Sequence, residues 1–351
     1  MNWMIYGANG YTGRLIAMEA VRRGMKPVLS GRNAEAVNAL GETLDLETRI
    51  FDLDGDVASN LQDMRLVLHC AGPFSQTSAP MLEGCLDRGV HYLDITGEID
   101  VFEHAWRQDE RARRADVLVC PGVGFDVVPT DCLAAMLVRE VPSATALVLA
   151  FEAAGGPSRG TALTSLESLG KGGRVRKDGA LQPVPMAWKT RKIPFAHAER
   201  TAVTIPWGDV FTAWVSTGVP DVEVYLSVPP GALKQMRRMA KFSGVLGWGW
   251  VQAFLRRRIE ARPAGPDEGT RGRTGVEVWG EARGADGRLI TGTLSGPNGY
   301  DITVSASLAV TEHLLKSDVV GGYVTPSLLM GPDFASGLPG IDVVIGHVIS
   351  G

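Results

Sequence analysis

Apolar runs of strand length alternate with segments of helical period through the first third of the chain. The runs are separated mostly by stretches in which apolar residues recur every three or four positions. Such alternation predicts βα units and a doubly wound parallel sheet of the Rossmann type, which is an α/β fold. The predicted strands lie at 3–6, 26–32, 48–51, 66–70, 91–96 and 117–120.

The pattern changes after residue 131, where extended runs follow one another through turns instead of helices. The turn signals Lys-Asp-Gly at 177–179 and Ala-Asp-Gly at 285–287 are typical of β-hairpins. We expect a second, α+β domain over 132–297, built on a mostly antiparallel sheet, to bind the substrate. A helical pattern at 300–316 predicts that 298–351 completes the first domain, residues 1–131.

Local signals add detail to this plan. Asn33 is placed to cap the helix after the second strand, and 100–115 reads as one helix. Residues 263–273 are polar and glycine-rich, which predicts a mobile loop. The apolar, aromatic segment 242–255 lies between basic ends. This segment indicates part of the hydrophobic core or a subunit interface. The alternative is peripheral contact with lipid. The second domain holds more tryptophan than a small core needs, and this predicts a homodimer formed mainly through it: Trp188, Trp207, Trp214, Trp248 and Trp250.

Composition narrows the class of protein. A chain of 351 residues with 45% hydrophobic and 21% charged residues has the composition of an ordinary globular enzyme. Its net charge of −4 gives no reason to expect a nucleic-acid partner. The four cysteines form no C-x-x-C and the six histidines no ligand spacing, so we expect no metal and a reduced, cytoplasmic protein. We see no signal peptide and no apolar run of membrane-spanning length.

Glycines at 7, 10 and 13 follow the first strand and open the first helix. Such a turn binds anions, because its amides face outward at the positive end of a helix and missing Cβ atoms let a pyrophosphate approach. We therefore predict a dinucleotide cofactor here. The residues expected to contact it are Gly7, Asn9, Gly10, Tyr11, Thr12 and Gly13.

The end of the second strand indicates which dinucleotide binds. NAD-binding folds place an acidic residue there for the ribose 2′-hydroxyl, whereas this chain has Ser30, Gly31 and Arg32. A guanidinium pairs with a 2′-phosphate, so we expect NADP(H). The alternative is that Arg32 is a solvated loop residue without a cofactor contact. Further cofactor contacts are expected from Asp52, near the adenine, and from the turn after the fourth strand: Ala71, Gly72, Pro73 and Phe74.

Catalytic candidates are the polar residues expected where strand ends converge. The main candidates are Glu98, Tyr92 and Asp126. Glu98 has the alternative role of capping the helix that begins near Asp100, and Asp126 that of ordering its loop. Asp131 is expected to cap the helix after Pro129. Tyr300 and Thr303 are further residues expected to reach the substrate. No short-chain dehydrogenase motif of Ser, Tyr and Lys follows the fourth strand, which argues against that mechanism.

Several of these motifs together resemble the saccharopine dehydrogenase-like reductases. The resemblance rests on 7–13, 30–32, 71–74, 92–98 and 122–131. Further matches, at 265–268, 279–282, 297–303 and 331–334, resemble the branch that contains the trans-acting enoyl reductases of lipid biosynthesis. The resemblance covers most of the chain, but little of 150–260.

The resemblance implies an NADPH-dependent oxidoreductase. One expected reaction is the reduction of a C=C bond in a lipid-like acyl substrate. Another is reduction of a C=N or C=O bond, as in saccharopine-type amino-acid chemistry. The alternative of a different class is a non-catalytic, lipid-associated protein that binds NADP(H).

Overall fold

The computed structural model describes residues 2–168, 172–229, 231, 233, 236 and 249–349. The chain divides into two compact units. The first contains Met1–Asp126 and Tyr300–Leu329, and the second contains Val127–Gly299 and Met330–Gly351.

The strands and helices of the described residues are numbered in chain order. The strands are β1 (Trp3–Tyr6), β2 (Val28–Gly31), β3 (Thr48–Ile50), β4 (Leu66–His69), β5 (His91–Asp94), β6 (Leu118–Cys120), β7 (Ala144–Ala153), β8 (Gly173–Lys177), β9 (Ala180–Val184), β10 (Thr190–Pro194), β11 (Glu199–Thr204), β12 (Asp221–Ser227), β13 (Gly275–Gly284), β14 (Leu289–Pro297), β15 (Gly322–Tyr323) and β16 (Asp342–Ile345). The helices are α1 (Tyr11–Arg22), α2 (Ala34–Leu44), α3 (Val57–Asn60), α4 (Phe74–Arg88), α5 (Ile99–Arg107), α6 (Asp109–Arg114), α7 (Val128–Glu140), α8 (Arg159–Ser168), α9 (Asp209–Thr217), α10 (Gly249–Glu260), α11 (Glu268–Arg273), α12 (Gly299–Lys316) and α13 (Pro326–Met330), with a 3₁₀ helix at Pro332–Gly337.

The first unit is built on a seven-stranded sheet in the order β15-β6-β5-β4-β1-β2-β3. Every neighbouring pair is parallel. The central strands are apolar and buried, as in Ile5 and Leu68, because helices cover both faces of such a sheet. The predicted Rossmann-type α/β fold is confirmed, and the sheet brings the carboxyl ends of all these strands to one edge.

Two predicted elements of this unit end earlier than the sequence suggests. Strand β5 ends at Asp94, whose buried carboxylate accepts a hydrogen bond from the Thr96 amide and turns the chain. The helix expected over 100–115 is two helices, α5 and α6, which meet at Gln108. The backbone of Gln108 has φ −88° and ψ 2°, outside the α-helical region. The Asn33 cap is present, with Oδ1 accepting from the Ala36 amide at 3.0 Å.

The second unit contains a mixed sheet in the order β10-β11-β12-β7-β13-β14-β16, with the β8–β9 hairpin attached to β12. Strands β7 and β12 are parallel, and the other pairs are antiparallel. Both predicted hairpins, β8–β9 and β13–β14, are confirmed. Helix α7 packs on the sheet at Gly280, where a Cβ would lie 2.7 Å from Leu137 Cδ1.

The structure divides the chain differently from the expected boundaries. Only Tyr300–Leu329 joins the first unit, whereas Met330–Gly351 belongs to the second. The reason is that β16 pairs with β14, and that Asp333 binds Arg139 of α7 at 2.9 Å. The loop expected at 263–273 contains α11, whose N-terminus is capped by Asp267 through the Thr270 amide.

The aromatic segment 242–255 is only partly described. Residues 242–248, including Trp248, lie outside the described residues, as does the side chain of Trp250. The described part begins α10 at Gly249. Over the described residues, the structure contains no helix that is both long and apolar enough to span a membrane.

Candidate cofactor and active site

The glycine turn after β1 is packed so closely that two of its positions exclude any side chain. Gly7 has φ +85°, and a Cβ there would lie 2.7 Å from the Ala71 amide nitrogen. A Cβ on Gly13 would lie 2.3 Å from the Gly7 carbonyl oxygen. The Gly10 amide donates to that same carbonyl at 3.0 Å. The turn is thereby held as a compact bend directly before α1.

Helix α1 begins at this bend with the features of an anion site. Gly10 is its N-cap, without a side-chain cap and with no acidic residue in the first turn. The first amides of a helix have no partner within the helix, and its N-terminus carries positive partial charge. Asn9 and Gly10 are exposed, and Tyr11 and Thr12 are partly exposed. These residues fit a pyrophosphate, because the uncapped N-terminus of the helix is exposed and Gly10 places no side chain in front of it.

The two residues at the end of β2, Ser30 and Gly31, hold the glycine turn in place. Ser30 is fully buried; its carbonyl accepts from the amides of Gly7 and Ala8, and its hydroxyl donates to the Arg49 carbonyl at 2.6 Å. Ser30 therefore supports the glycine turn from below. A Cβ on Gly31 would lie 3.1 Å from Asn9 Oδ1, so Gly31 leaves room for the turn.

Arg32 is exposed at the same edge of the sheet. Over the described residues, no ion pair or hydrogen bond engages its guanidinium. The pKa of Tyr6 is raised to about 12 by burial and by Asp52, and is lowered in turn by Arg32. Arg32 and the exposed Asp52 therefore both lie near Tyr6, where the carboxylate of Asp52 accepts from the Leu53 amide. Arg32 is available to a phosphate.

The turn after β4 contains Ala71 to Phe74, with an exposed Gly72 and a cis peptide bond before Pro73. Buried His69 lies below it, with Nε2 at 3.0 Å from Thr77 Oγ1. The Thr77 hydroxyl donates to the Ala71 carbonyl at 2.6 Å. Burial lowers the pKa of His69 to about 3, so His69 is neutral and serves to hold the turn.

Glu98 lies on the loop after β5 and contacts this turn. Its two carboxylate oxygens accept from the amides of Phe74 and Ser75, each at 2.9 Å. Glu98 thus caps α4, and its side chain makes no capping bond to α5. Sequence reasoning offered a catalytic role or a cap on the following helix, and it missed this contact because 24 residues separate the partners.

Asp94 joins the loops after β5 and β6. Its fully buried carboxylate accepts from the Tyr92 hydroxyl at 2.8 Å, the Thr96 amide at 2.9 Å and the Gly122 amide at 2.8 Å. Burial raises the pKa of Asp94 to about 6. Tyr92 is itself buried, and burial and Asp94 raise its pKa well above 10. Tyr92 was expected as a catalytic residue, but the structure places its hydroxyl inside the core.

Asp126 lies on the loop after β6, next to Glu98. A Cβ on Gly97 would lie 3.0 Å from Asp126 Oδ2, which shows that the carboxyl group lies directly over this glycine. Burial and the charge of Glu98 raise the pKa of Asp126 to about 7. Of the three catalytic candidates, Glu98 and Asp126 are brought together, while Tyr92 is separated from them by the Asp94 network.

Helix α12 supports this edge of the first unit. Thr303 Oγ1 accepts from the Phe125 amide at 3.0 Å, and the ring of Tyr300 meets that of Tyr11 edge-on at 4.9 Å. Asp131, by contrast, belongs to the second unit. It is buried there and accepts from the Ser216 hydroxyl. Across the described ranges, no cluster of histidine, cysteine or acidic residues is arranged to hold a metal.

Comparison with known proteins agrees with this geometry. Residues 3–120 match the family described as the saccharopine dehydrogenase NADP binding domain. A saccharopine dehydrogenase-like oxidoreductase from Bos taurus is 29% identical over 150 residues, which is 36% of this chain and 35% of that protein. A protein of Mycobacterium tuberculosis named as a trans-acting enoyl reductase is 30% identical over 190 residues, or 47% of this chain and 43% of that protein.

The solved structures extend the likeness to the whole fold. Apo saccharopine dehydrogenase (L-Glu forming) from Saccharomyces cerevisiae superposes with a TM-score of 0.68 at 12% identity, covering 99% of this chain and 100% of that one. At that identity the likeness concerns the fold alone. The matches cover 35% and 43% of the length of these two curated relatives, which is less than half of each. Within the first unit, residues 3–120 are therefore similar to the NADP-binding domain of saccharopine dehydrogenases.

Proposed function

We propose that this chain, whose residues 3–120 are similar to the NADP-binding domain of saccharopine dehydrogenases, is an NADPH-dependent oxidoreductase that reduces a C=C bond in a lipid-like acyl substrate. The observation that carries the cofactor assignment is the pair formed by an uncapped helix N-terminus at Gly10 and a free guanidinium at Arg32. No acidic residue stands at the end of β2 to repel a 2′-phosphate.

The residues of the first unit have distinct tasks in this proposal. The start of α1 binds the pyrophosphate through its amides, and Arg32 pairs with the 2′-phosphate through charge-assisted hydrogen bonds. Ser30 and His69 hold the two turns in place. When bound, NADPH supplies a hydride, so the protein must provide orientation, exclusion of water and a proton.

Reduction of a C=C bond is supported by the enoyl reductase name of the Mycobacterium tuberculosis relative. The loops after β5 and β6 contribute Glu98 and Asp126 at the edge of the sheet. The segments after β4, β5 and β6, at 70–77, 95–98 and 121–126, include no lysine or arginine. An acyl chain without a carboxylate is compatible with these loops. Reduction of a C=N or C=O bond is the second candidate, favoured by the fold shared with saccharopine dehydrogenase.

The test is NADPH oxidation by the purified chain with three matched groups of substrate: enoyl thioesters, ketones, and imines formed from an amine and a keto acid. We expect turnover with the enoyl group and little with the others. Turnover confined to imines or ketones would replace the C=C assignment. NADPH binding without turnover on any group would favour a non-catalytic protein that binds NADP(H).

We also propose that the protein forms a homodimer through the second unit. Strand β16 is an edge strand of the mixed sheet. It exposes Val344 (65%), and Ile349 just beyond it is 63% exposed. An edge strand with exposed β-branched residues is open to pairing with a second copy, and such a contact is self-complementary about a two-fold axis.

A further inference from the structure

Two acidic side chains, whose charges act on each other, belong to neighbouring loops at one edge of the first unit. Glu98 follows β5 and Asp126 follows β6, and these strands are parallel neighbours. The carboxyl group of Asp126 lies over Gly97, within 3.0 to 3.3 Å of the position of an added Cβ. Neighbouring acidic groups of this kind hold a proton more readily than isolated ones, because two adjacent negative charges repel.

Glu98 is held as the fixed partner of this pair. Both of its oxygens accept amide hydrogens at the N-terminus of α4, a helix of fifteen residues. Two amide donors and the positive end of a helix stabilise a carboxylate. The negative charge of Glu98 is therefore kept at one place, and the amides leave it little freedom to turn away from Asp126.

Asp126 is the member of the pair whose pKa is raised. Burial is the main cause of its raised pKa of about 7, and the charge of Glu98 is the second. Asp126 is nevertheless only partly buried by area, whereas Tyr92 and Asp94 are enclosed in the core.

We infer that Asp126 is the acid that protonates the substrate during reduction, and that Glu98 is a positioning residue that keeps Asp126 protonated. The inference rests on the proposed reductase function. One carbon of the reduced bond receives the hydride that NADPH supplies, and the other atom of that bond receives the proton of Asp126. The products are the saturated bond, NADP⁺ and the Asp126 carboxylate, which regains its proton from water.

The first experiment measures hydride transfer in single turnovers with Asp126→Asn. General acids contribute about 10² to 10⁴ in rate, so we expect the NADPH oxidation rate to fall by about a hundredfold or more. NADPH affinity, followed by its fluorescence, should change less than about twofold. The matched control is Asp87→Asn, an exposed acid on α4, which should leave both unchanged. An unchanged rate in Asp126→Asn would overturn the inference while leaving the reductase proposal intact.

The second experiment follows pH. The wild-type rate should fall as pH rises through about 7, because the carboxyl group then loses its proton. Glu98→Gln removes the neighbouring charge, so its falling limb should move to lower pH. A limb that stays in place would contradict the positioning role of Glu98.

The third readout needs no substrate. Asp126 has a raised folded pKa, so wild type loses stability as pH rises from about 4 to about 7, whereas asparagine is neutral throughout. The stability of Asp126→Asn relative to wild type in urea should therefore increase over this pH range. A difference independent of pH would overturn the inference. Absence of turnover in wild type on all substrates, with the pH-dependent difference present, would overturn the reductase proposal together with the catalytic role.

Discussion

At the scale of single residues, the three glycines of the first turn serve different purposes. Gly7 and Gly13 are required by the fold, since their Cβ atoms would lie within 3 Å of backbone atoms. Gly10 faces outward, and its Cβ would lie 3.1 Å from the Gly7 carbonyl. The sequence spacing identifies all three as one motif, but only the packing separates the structural positions from the binding position.

This difference gives a matched pair of variants. Gly13→Ala should lower the free energy of unfolding by about 1–3 kcal/mol, the usual cost of an overpacked core. Gly10→Ala should remain close to wild type in stability but bind NADPH about tenfold or more weakly, because loss of charge-assisted contacts costs about 1.5–3 kcal/mol. Urea unfolding and fluorescence titration measure the two quantities. Equal NADPH affinity in Gly10→Ala and wild type would contradict the phosphate-binding role.

The residues that the sequence could not assign are those whose role depends on distant partners. Ser30, Tyr92 and Glu98 all lie where the strand pattern predicts the functional edge. Burial withdraws the side chains of Ser30 and Tyr92 from that edge, and the amides of Phe74 and Ser75 engage Glu98. A sequence indicates which residues follow a strand, but it does not indicate which neighbouring loop will contact them.

At the scale of elements, predictions that depend on local chemistry agree with the structure. The parallel strands follow apolar runs, the two hairpins follow Asp-Gly turns, and Asn33 caps α2. Predictions about element ends are less accurate, because ends depend on tertiary contacts. Asp94 ends β5 through the loops it binds, and Asp267 starts α11 in a segment whose glycines indicate a loop.

The Asn33 cap can be tested in isolation from the site. Asn33→Ala leaves the Ala36 amide without its acceptor and should lower the free energy of unfolding by about 0.5–2 kcal/mol. Asn33→Ser retains a capping oxygen and should recover most of that loss. Equal stability of all three proteins in urea would show that the cap contributes nothing.

At the scale of the whole molecule, the sequence anticipates two units but misplaces the C-terminal stretch. The apolar helix pattern at 300–316 correctly indicates a return to the first unit. Residues 342–345 pair with β14 instead, because a strand of four residues can join any sheet with an open edge. That pairing is a long-range contact, and the local sequence does not encode it.

The oligomeric state is a property of the whole molecule, and we propose a homodimer. Sedimentation at low micromolar concentration should show a dimer. Val344→Lys places a charge on the exposed edge strand, where lysine opposes strand pairing, and should shift the protein towards monomer. Ser336→Lys, at an exposed site in the 3₁₀ helix, is the control and should remain dimeric. A wild type that sediments as a monomer would contradict the proposal.

The central claim is that the first unit binds NADP(H) through the start of α1 and Arg32. Calorimetric titration of wild type with NADPH and NADH tests it most directly. We expect NADPH to bind more tightly, Arg32→Ala to lose about ten- to a hundredfold in NADPH affinity, and NADH affinity to be unchanged. Lys26→Ala, which removes an equal charge before β2, should behave as wild type. Equal NADPH affinity in Arg32→Ala and wild type would contradict the account.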